Sequence, residues 1–220
     1  MEASGAAGRG PGVRAREADI APAPDPTGGR SAGWTPADPG PLGLAAFAGT
    51  TFVLSLMNAN LVSDRGIGAV LALALAYGGL AQLVAGIWEF RTGNTFGAVA
   101  FCSFGAFWIS FFFLIRLTPA ALVTPHALSA YLWMWAIFTT YMFFASLRTT
   151  GAVALVFFLL AVTFVLLAIG DMGSGHPSIH HAGGWVGLAT AIVAWYASFA
   201  AVMNSTWGRV VLPVYPLQRT

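Results

Sequence analysis

The chain has no lysine, a single cysteine and few charges of either sign: across 220 residues only 8% are charged, against 57% hydrophobic. Each shortage excludes something. A soluble globular domain carries about a quarter of its residues as charges, so this chain belongs in a membrane. A formal net charge of +2 is too small and too scattered for a nucleic-acid surface, and no nucleic-acid partner is expected. Cys102 stands alone in an apolar run, which leaves neither an intramolecular disulfide nor a Cys-type metal cluster and reads as a buried structural thiol. The chain also lacks a P-loop, an H-E-x-x-H helix, a G-x-S-x-G elbow and paired carboxylates inside an apolar run. It is therefore not read as an enzyme, and neither cofactor nor metal is expected.

What is present is a succession of apolar runs, at 43–62, 67–88, 95–115, 128–147, 151–169 and 182–203. Each is close to the roughly 20 residues that cross a bilayer once as a helix. The gaps between them hold most of the Arg, Asp, Pro and His. The fold class expected is an all-α membrane protein of six transmembrane helices. Residues 1–37 are rich in Ala, Gly, Pro and Arg and poor in large apolar side chains, so they are expected to form a disordered cytoplasmic tail. Nothing before Leu42 supplies the apolar core of a signal peptide, and the tail is expected to stay on the chain. Residues 38–213 are expected to form the six-helix transmembrane domain and 214–220 a short cytoplasmic tail.

Arg sets the orientation, because cytoplasmic segments collect positive residues. With the N-terminus inside, eight of the ten Arg are cytoplasmic and only Arg65 and Arg116 are outside. Both termini are expected in the cytoplasm. The segment 170–181, with Asp171, His176, His180 and His181, then faces out as a solvated loop. Pro177 and the glycines before it argue against a helix that would align His176 with His180, and without Cys or Glu at ligand spacing the cluster is not read as a metal site. His181 is the candidate for the outer mouth of a path.

The polar hinge 89–95, E-F-R-T-G-N-T, joins the second and third runs. Gly93 suits the left-handed residue that ends a helix, and Asn94 or Thr95 suits the N-cap of the next. Glu89 and Arg91 read as interface anchors or ion partners. Small residues at 81 and 85, 93 and 97, and 183 and 187 fit close helix packing in lipid. Polar residues inside the runs are few, with Ser55, Asn58 and Gln82 prominent among them. Asn58 and Gln82 either bond between helices or line a path; the residues alone leave both open. No charge sits at the centre of any run.

The run D-P-G-P-L-G-L, comprising Asp38, Pro39, Gly40, Pro41, Leu42, Gly43 and Leu44, closely resembles the N-P-x-P-L-G-L signature of the acetate uptake transporter family, which includes the succinate/acetate permeases. The resemblance continues through Y-G-G-L-A-Q at 77–82, beginning with Tyr77 and ending with Gln82, through G-N-T-F-G at 93–97, containing Asn94 and Thr95, and through Phe107 and Trp108. It extends to L-A-I-G at 167–170, Asn204, and Leu212 with Pro213, and so covers the whole membrane region. It implies a homohexamer with a separate acetate path through each protomer, narrowed at Phe47, Phe104 and Leu160. Family members often carry Tyr at the position of Phe104, so the neck implied here is wholly apolar. Asp38 replaces Asn, Ser55 and Met57 stand where Asn and His are common, and Ala201 stands where a Glu often occurs.

The function expected is plasma-membrane transport of acetate and related small carboxylates, by proton-coupled carrier or by channel. A channel for ammonia or another neutral solute is an alternative that an apolar neck would also permit. A non-transporting membrane sensor or scaffold is the second.

Overall fold

The computed structural model describes residue 34, residues 36–173 and residues 175–217. The expected disordered tail at 1–37 lies almost wholly outside the described residues. From Gly40 onward the chain is nearly all helix. The segments are α1 (Gly40–Asn58), α2 (Ile67–Leu75), α3 (Gln82–Thr92), α4 (Thr95–Arg116), α5 (Pro125–Ser146), α6 (Gly151–Gly170) and α7 (Pro177–Trp207). A π-helical turn, Ala76–Ala81, joins α2 to α3, so the seven segments make six helices long and apolar enough to cross a membrane. The second run is thus interrupted near its middle. At the bulge the N–H of Gln82 reaches the carbonyl of Tyr77, five residues back, a geometry that recurs at functional sites.

The hinge folds as its residues dictate. Gly93 takes φ +81 and ends α3, and the side chain of Asn94 accepts a hydrogen bond from the Gly97 N–H at 3.1 Å to start α4. The hinge is shorter than expected, because α3 continues to Thr92. Glu89 therefore stands one turn inside the helix and is 2% exposed, rather than at the water interface.

The sixth helix is the larger correction. It begins at Pro177 and runs 31 residues, so His180 and His181 are helical. Pro177 does not break the helix, because the first-turn N–H that proline lacks has no intrahelical partner in any case; His176 is its N-cap.

The helices pack side by side in a ring, in the order α4, α2–α3, α1, α7, α6, α5. Large apolar side chains such as Ile87, Phe90, Ile137 and Phe144 point outward and are more than half exposed. That is the expected surface where lipid, not water, is the solvent. The tightest approach is between α7 and the end of α1, where a Cβ on Gly184 would meet the backbone of Asn58 and Ala59. α4 touches α5 chiefly through aromatic rings, with Phe107 against Tyr131 and Trp135 and with Phe104 against Phe138.

After α7 the chain reverses at Gly208 and returns across the end of the bundle that holds Asp38. The Asn204 amide pins it, accepting from the N–H groups of Val211 and Leu212 and donating to the Leu212 carbonyl. The Tyr196 hydroxyl donates to the Pro213 carbonyl at 2.6 Å. Pro216 then forms a bridge with Thr150, flanked by Gly151 N–H to Tyr215 O and Leu217 N–H to Thr149 O. The expected short tail is, as far as Leu217, part of the folded end.

Candidate functional site: two vestibules and a closed neck

The ring encloses three voids in series. At the end that holds Asp38 and the C-terminal strap, a vestibule of about 300 Å³ is lined by Asp38, Glu89, Asn94, Phe96, Asn204 and Val214, among others. At the far end a larger vestibule, about 440 Å³, is lined by Asn58, Asp64, Asp171, His180, Phe111 and Leu128, among others. Between them lies a void of about 20 Å³. It shares Phe47 and Leu160 with the far vestibule, and Leu44, Ala100, Phe101 and Phe157 with the other.

Phe47 of α1, Phe104 of α4 and Leu160 of α6 all line the small void and are 3–4% exposed. Phe104 is the centre of the packing, with ring centroids 5.7 Å from Phe47, 5.3 Å from Phe138 and 6.0 Å from Phe157. A void needs roughly 10–15 Å³ to hold one water, so this one takes about a single water and no carboxylate. Its one polar wall is Gln82 of α3, 1% exposed, whose Oε1 has no hydrogen-bond partner among the described residues. The π turn immediately before Gln82 sets the register that aims it here. A buried amide oxygen without a partner costs roughly 1–3 kcal/mol, which a passing hydrogen-bond donor would recover.

The signature at the start of α1 has a role residue by residue. Asp38 Oδ1 accepts from the Gly40 N–H at 2.8 Å and lines the vestibule, while Pro39 is the N-cap. The Pro41 carbonyl accepts from Ser198 Oγ of α7 at 2.7 Å. Gly43 leaves room for the Phe101 ring, Leu44 lines both the vestibule and the neck void, and Leu42 faces out at 43% exposure.

The other expected residues divide: Tyr77, Thr95 and His181 line none of the three voids, whereas Asn58 lines one. Tyr77 packs against Gly49 of α1 instead of lining a void. Thr95 is the exposed first residue of α4. Asn58, the last residue of α1, lines the far vestibule. His181 does not line it; His180, one residue earlier on α7, does, with Nδ1 2.8 Å from Asp171 Oδ1. Adjacent helical residues point about 100° apart, so only one of the two can face the cavity. Among the described residues no group of three His, Cys, Asp or Glu is arranged to hold a metal.

Glu89 was not expected on the path. Its Oε2 accepts from Thr92 Oγ1 at 3.1 Å. Among the described residues it makes no ion pair with Arg91. Three of the departures from the family pattern also lie on the walls, with Ser55 and Met57 in the far vestibule and Ala201 in the other.

Residues 30–219 match the model of the GPR1/FUN34/yaaH family. The chain belongs to that family. It is 43% identical over 197 residues to Acetate permease A of Emericella nidulans, covering 81% of this chain and 65% of that protein. To the succinate-acetate/proton symporter SatP of Escherichia coli K12 it is 41% identical over 181 residues, covering 81% of this chain and 95% of the relative. Ammonia transport outward protein 2 of Saccharomyces cerevisiae is also 41% identical, over 182 residues, with 76% of this chain and 61% of that one covered. Among solved structures, that of the bacterial acetate channel SatP superposes with a TM-score of 0.77 at 40% identity, over 82% of this chain and 99% of the other. This member of the GPR1/FUN34/yaaH family is thus a multi-pass membrane protein whose relatives are named as permeases, symporters and channels.

Proposed function

We infer that this protein is a membrane transporter or channel for acetate and related small carboxylates. The observation that carries the reading is the neck, a void of about 20 Å³ between two vestibules, closed by side chains and walled by one amide whose oxygen has no partner among the described residues. Phe47, Phe104 and Leu160 are the constriction, and passage requires their rings and branches to rotate aside. No backbone needs to move at the neck. A carboxylate crossing there loses water at high cost, whereas the protonated acid can donate its O–H to the unpartnered Gln82 Oε1, so the neck favours the neutral form. The methyl group of acetate rests against Phe and Leu. An apolar constriction of this kind also excludes water when closed. With no acidic side chain lining the neck void, a proton that accompanies the substrate is carried past Phe104 on the substrate's own carboxyl.

The protein lies in the plasma membrane with both termini of the six-helix domain cytoplasmic, supported by the balance of Arg between the two sides. The vestibule under the C-terminal strap is then the inner one. The family resemblance supports a homohexamer with a separate path in each protomer. Native mass measurement in detergent tests the stoichiometry. The names of the relatives, permease, symporter and channel, support reading the protein as a transporter rather than an enzyme.

Uptake of labelled acetate into proteoliposomes, corrected for protein-free vesicles, with and without a pH gradient at clamped voltage, tests the function. Concentrative uptake under the gradient identifies a proton-coupled carrier, equilibration alone a channel, and no protein-dependent uptake overturns the reading. Phe104→Ala opens the neck and shifts the ratio of succinate to acetate uptake several-fold; an unchanged ratio removes Phe104 from the constriction. A second reading, passage of ammonia, is favoured by the apolar neck and by the relative of that name. Competition of acetate uptake by ammonium rather than by carboxylates would establish it.

A further inference from the structure

The three helices that carry the neck run the same way, α1, α4 and α6 each starting at the end that holds Asp38 and finishing at the far end. One turn beyond the neck a second layer therefore follows: Thr51 four residues after Phe47, Trp108 four after Phe104 and Thr163 three after Leu160, on the same helix faces. All three line the far vestibule. Trp108 is 2% exposed and Thr51 6%, yet neither Trp108 Nε1 nor Thr51 Oγ1 has a hydrogen-bond partner among the described residues. Thr163 is committed, its hydroxyl donating to the Leu159 carbonyl at 2.9 Å. Resting on the transport reading above, we infer that Thr51 and Trp108 form a carboxylate-binding site on the far side of the neck, where the substrate meets hydrogen-bond donors before it meets the acceptor, Gln82.

An indole N–H can only donate, and a threonine hydroxyl donates as readily as it accepts. Buried donors without partners call for a ligand rich in acceptors, and a carboxylate, with two oxygens and no hydrogen, is one. Ammonium has no acceptor to offer. Both donors are covered while the neck is closed, and the rotation of Phe47 and Phe104, one turn away, uncovers them. Neither donor is charged, so the anion is held without being trapped. The titratable side chains of this vestibule are Asp64, Asp171 and His180. Asp64 and Asp171 follow the ends of α1 and α6, and His180 pairs with Asp171, so these groups stand at the rim and not in the Thr51 layer. The neck presents the opposite polarity, because Gln82 Oε1 can only accept. A carboxylate gains nothing from it until an oxygen takes a proton from hydronium in the vestibule water. An O–H bond then forms on the substrate, water is left behind, and the neutral acid passes its O–H to Gln82. In the opposite vestibule the acid returns that proton to water.

The test is the saturation of labelled acetate uptake in proteoliposomes, corrected for protein-free vesicles, for the wild-type protein, Thr51→Val and Trp108→Phe. Each substitution keeps most of the side chain's shape and removes one donor. A hydrogen bond to a charged group contributes about 1.5–3 kcal/mol, so each variant is expected to raise the half-saturating acetate concentration by about tenfold or more. Thr51→Ser, which keeps the hydroxyl, brings that concentration back toward the wild-type value. Damage to packing lowers the maximal rate instead, by reducing the number of working molecules. Thr51→Val decides alone if Trp108→Phe fails to fold. Acetate uptake whose half-saturation is unmoved by the substitutions, whatever the maximal rate, overturns the inference and leaves the transport reading standing. Absence of protein-dependent acetate uptake in the wild type overturns both.

Discussion

The two ends of the bundle are held by different kinds of bond. At the strap end the chain is tied by backbone bonds, Gly151 to Tyr215 and Leu217 to Thr149, reinforced by two side-chain amides, Asn204 on residues 211 and 212 and Asn94 on Gly97. At the far end the ties between helices are mostly single side chains, beside one backbone bond across the turn from α6 to α7, His176 N–H to the Gly170 carbonyl at 2.7 Å. His180 meets Asp171 at 2.8 Å, Ser129 Oγ donates to the Ala168 carbonyl at 2.7 Å, and the Ser110 and Tyr131 hydroxyls lie 2.8 Å apart. A backbone strap opens cooperatively, whereas single side-chain contacts open one at a time. The difference teaches that the far end is the softer one, and its larger vestibule is consistent with that. What holds the far end against this softness is the close approach of α7 to α1 at Gly184.

The largest effect should come from breaking that approach. A leucine at Gly184 would drive its side chain into the backbone of Asn58 and Ala59, where no rotamer gives relief. Overpacking typically costs 1–3 kcal/mol and more when backbone must move, so Gly184→Leu should leave little folded protein in detergent by size-exclusion chromatography. A monodisperse, fully stable variant would show that α1 and α7 are free to separate and that the far end has no rigid seam.

The strap end should give the second effect. Asn204→Ala removes three hydrogen bonds that fix the reversal after α7. Exposed to the interface, those groups can turn to water, so the cost is about 1–2 kcal/mol. The readout is local: trypsin should cut after Arg209 much faster in the variant, while the six helices stay protected. Unchanged cleavage would mean that the bridge at Thr150 and Pro216 holds the strap alone.

The order of the spans, the cap at Asn94 and the reversal at Gly93 were legible because each rests on local chemistry that composition exposes. Three features were not legible. The start of α7 was hidden by Pro177, since a proline is equally at home as a breaker and as a first-turn residue; nothing local separates the two without knowing that His180 has a partner in Asp171. The π turn was hidden because Gly78 and Gly79 read as small packing residues, while in the fold Thr50 and Trp108 crowd Gly78 and Ile109 crowds Gly79. Glu89 looked exposed because the hinge is polar. Its burial depends on Gly97, whose missing side chain leaves the space that the Glu89 carboxyl fills. The neck residues came from resemblance; periodicity alone could not separate Phe104 from the sixteen other phenylalanines of the chain. Gln82 was legible as polar and as dual in meaning, and only its missing partner tells the two meanings apart.

The smallest effect sharpens the comparison most. Ser129 on α5 serves the Ala168 carbonyl, one of the last-turn carbonyls of α6 that have no helical partner. Ser129→Ala removes that bond and buries an acceptor without a donor. Hydrogen bonds between membrane helices average about 0.6 kcal/mol, so the loss of thermal stability should be slight. Its local consequence should be larger, because α6 ends at the residue next to Asp171, and a frayed last turn would shift the carboxylate that His180 holds. Hydrogen exchange at residues 168–172 should therefore quicken in Ser129→Ala while exchange at the strap, residues 211–217, stays as it was. Equal change at both ends would mean that the bundle opens as one body, and the contrast between a cooperative strap and a soft far end would fall.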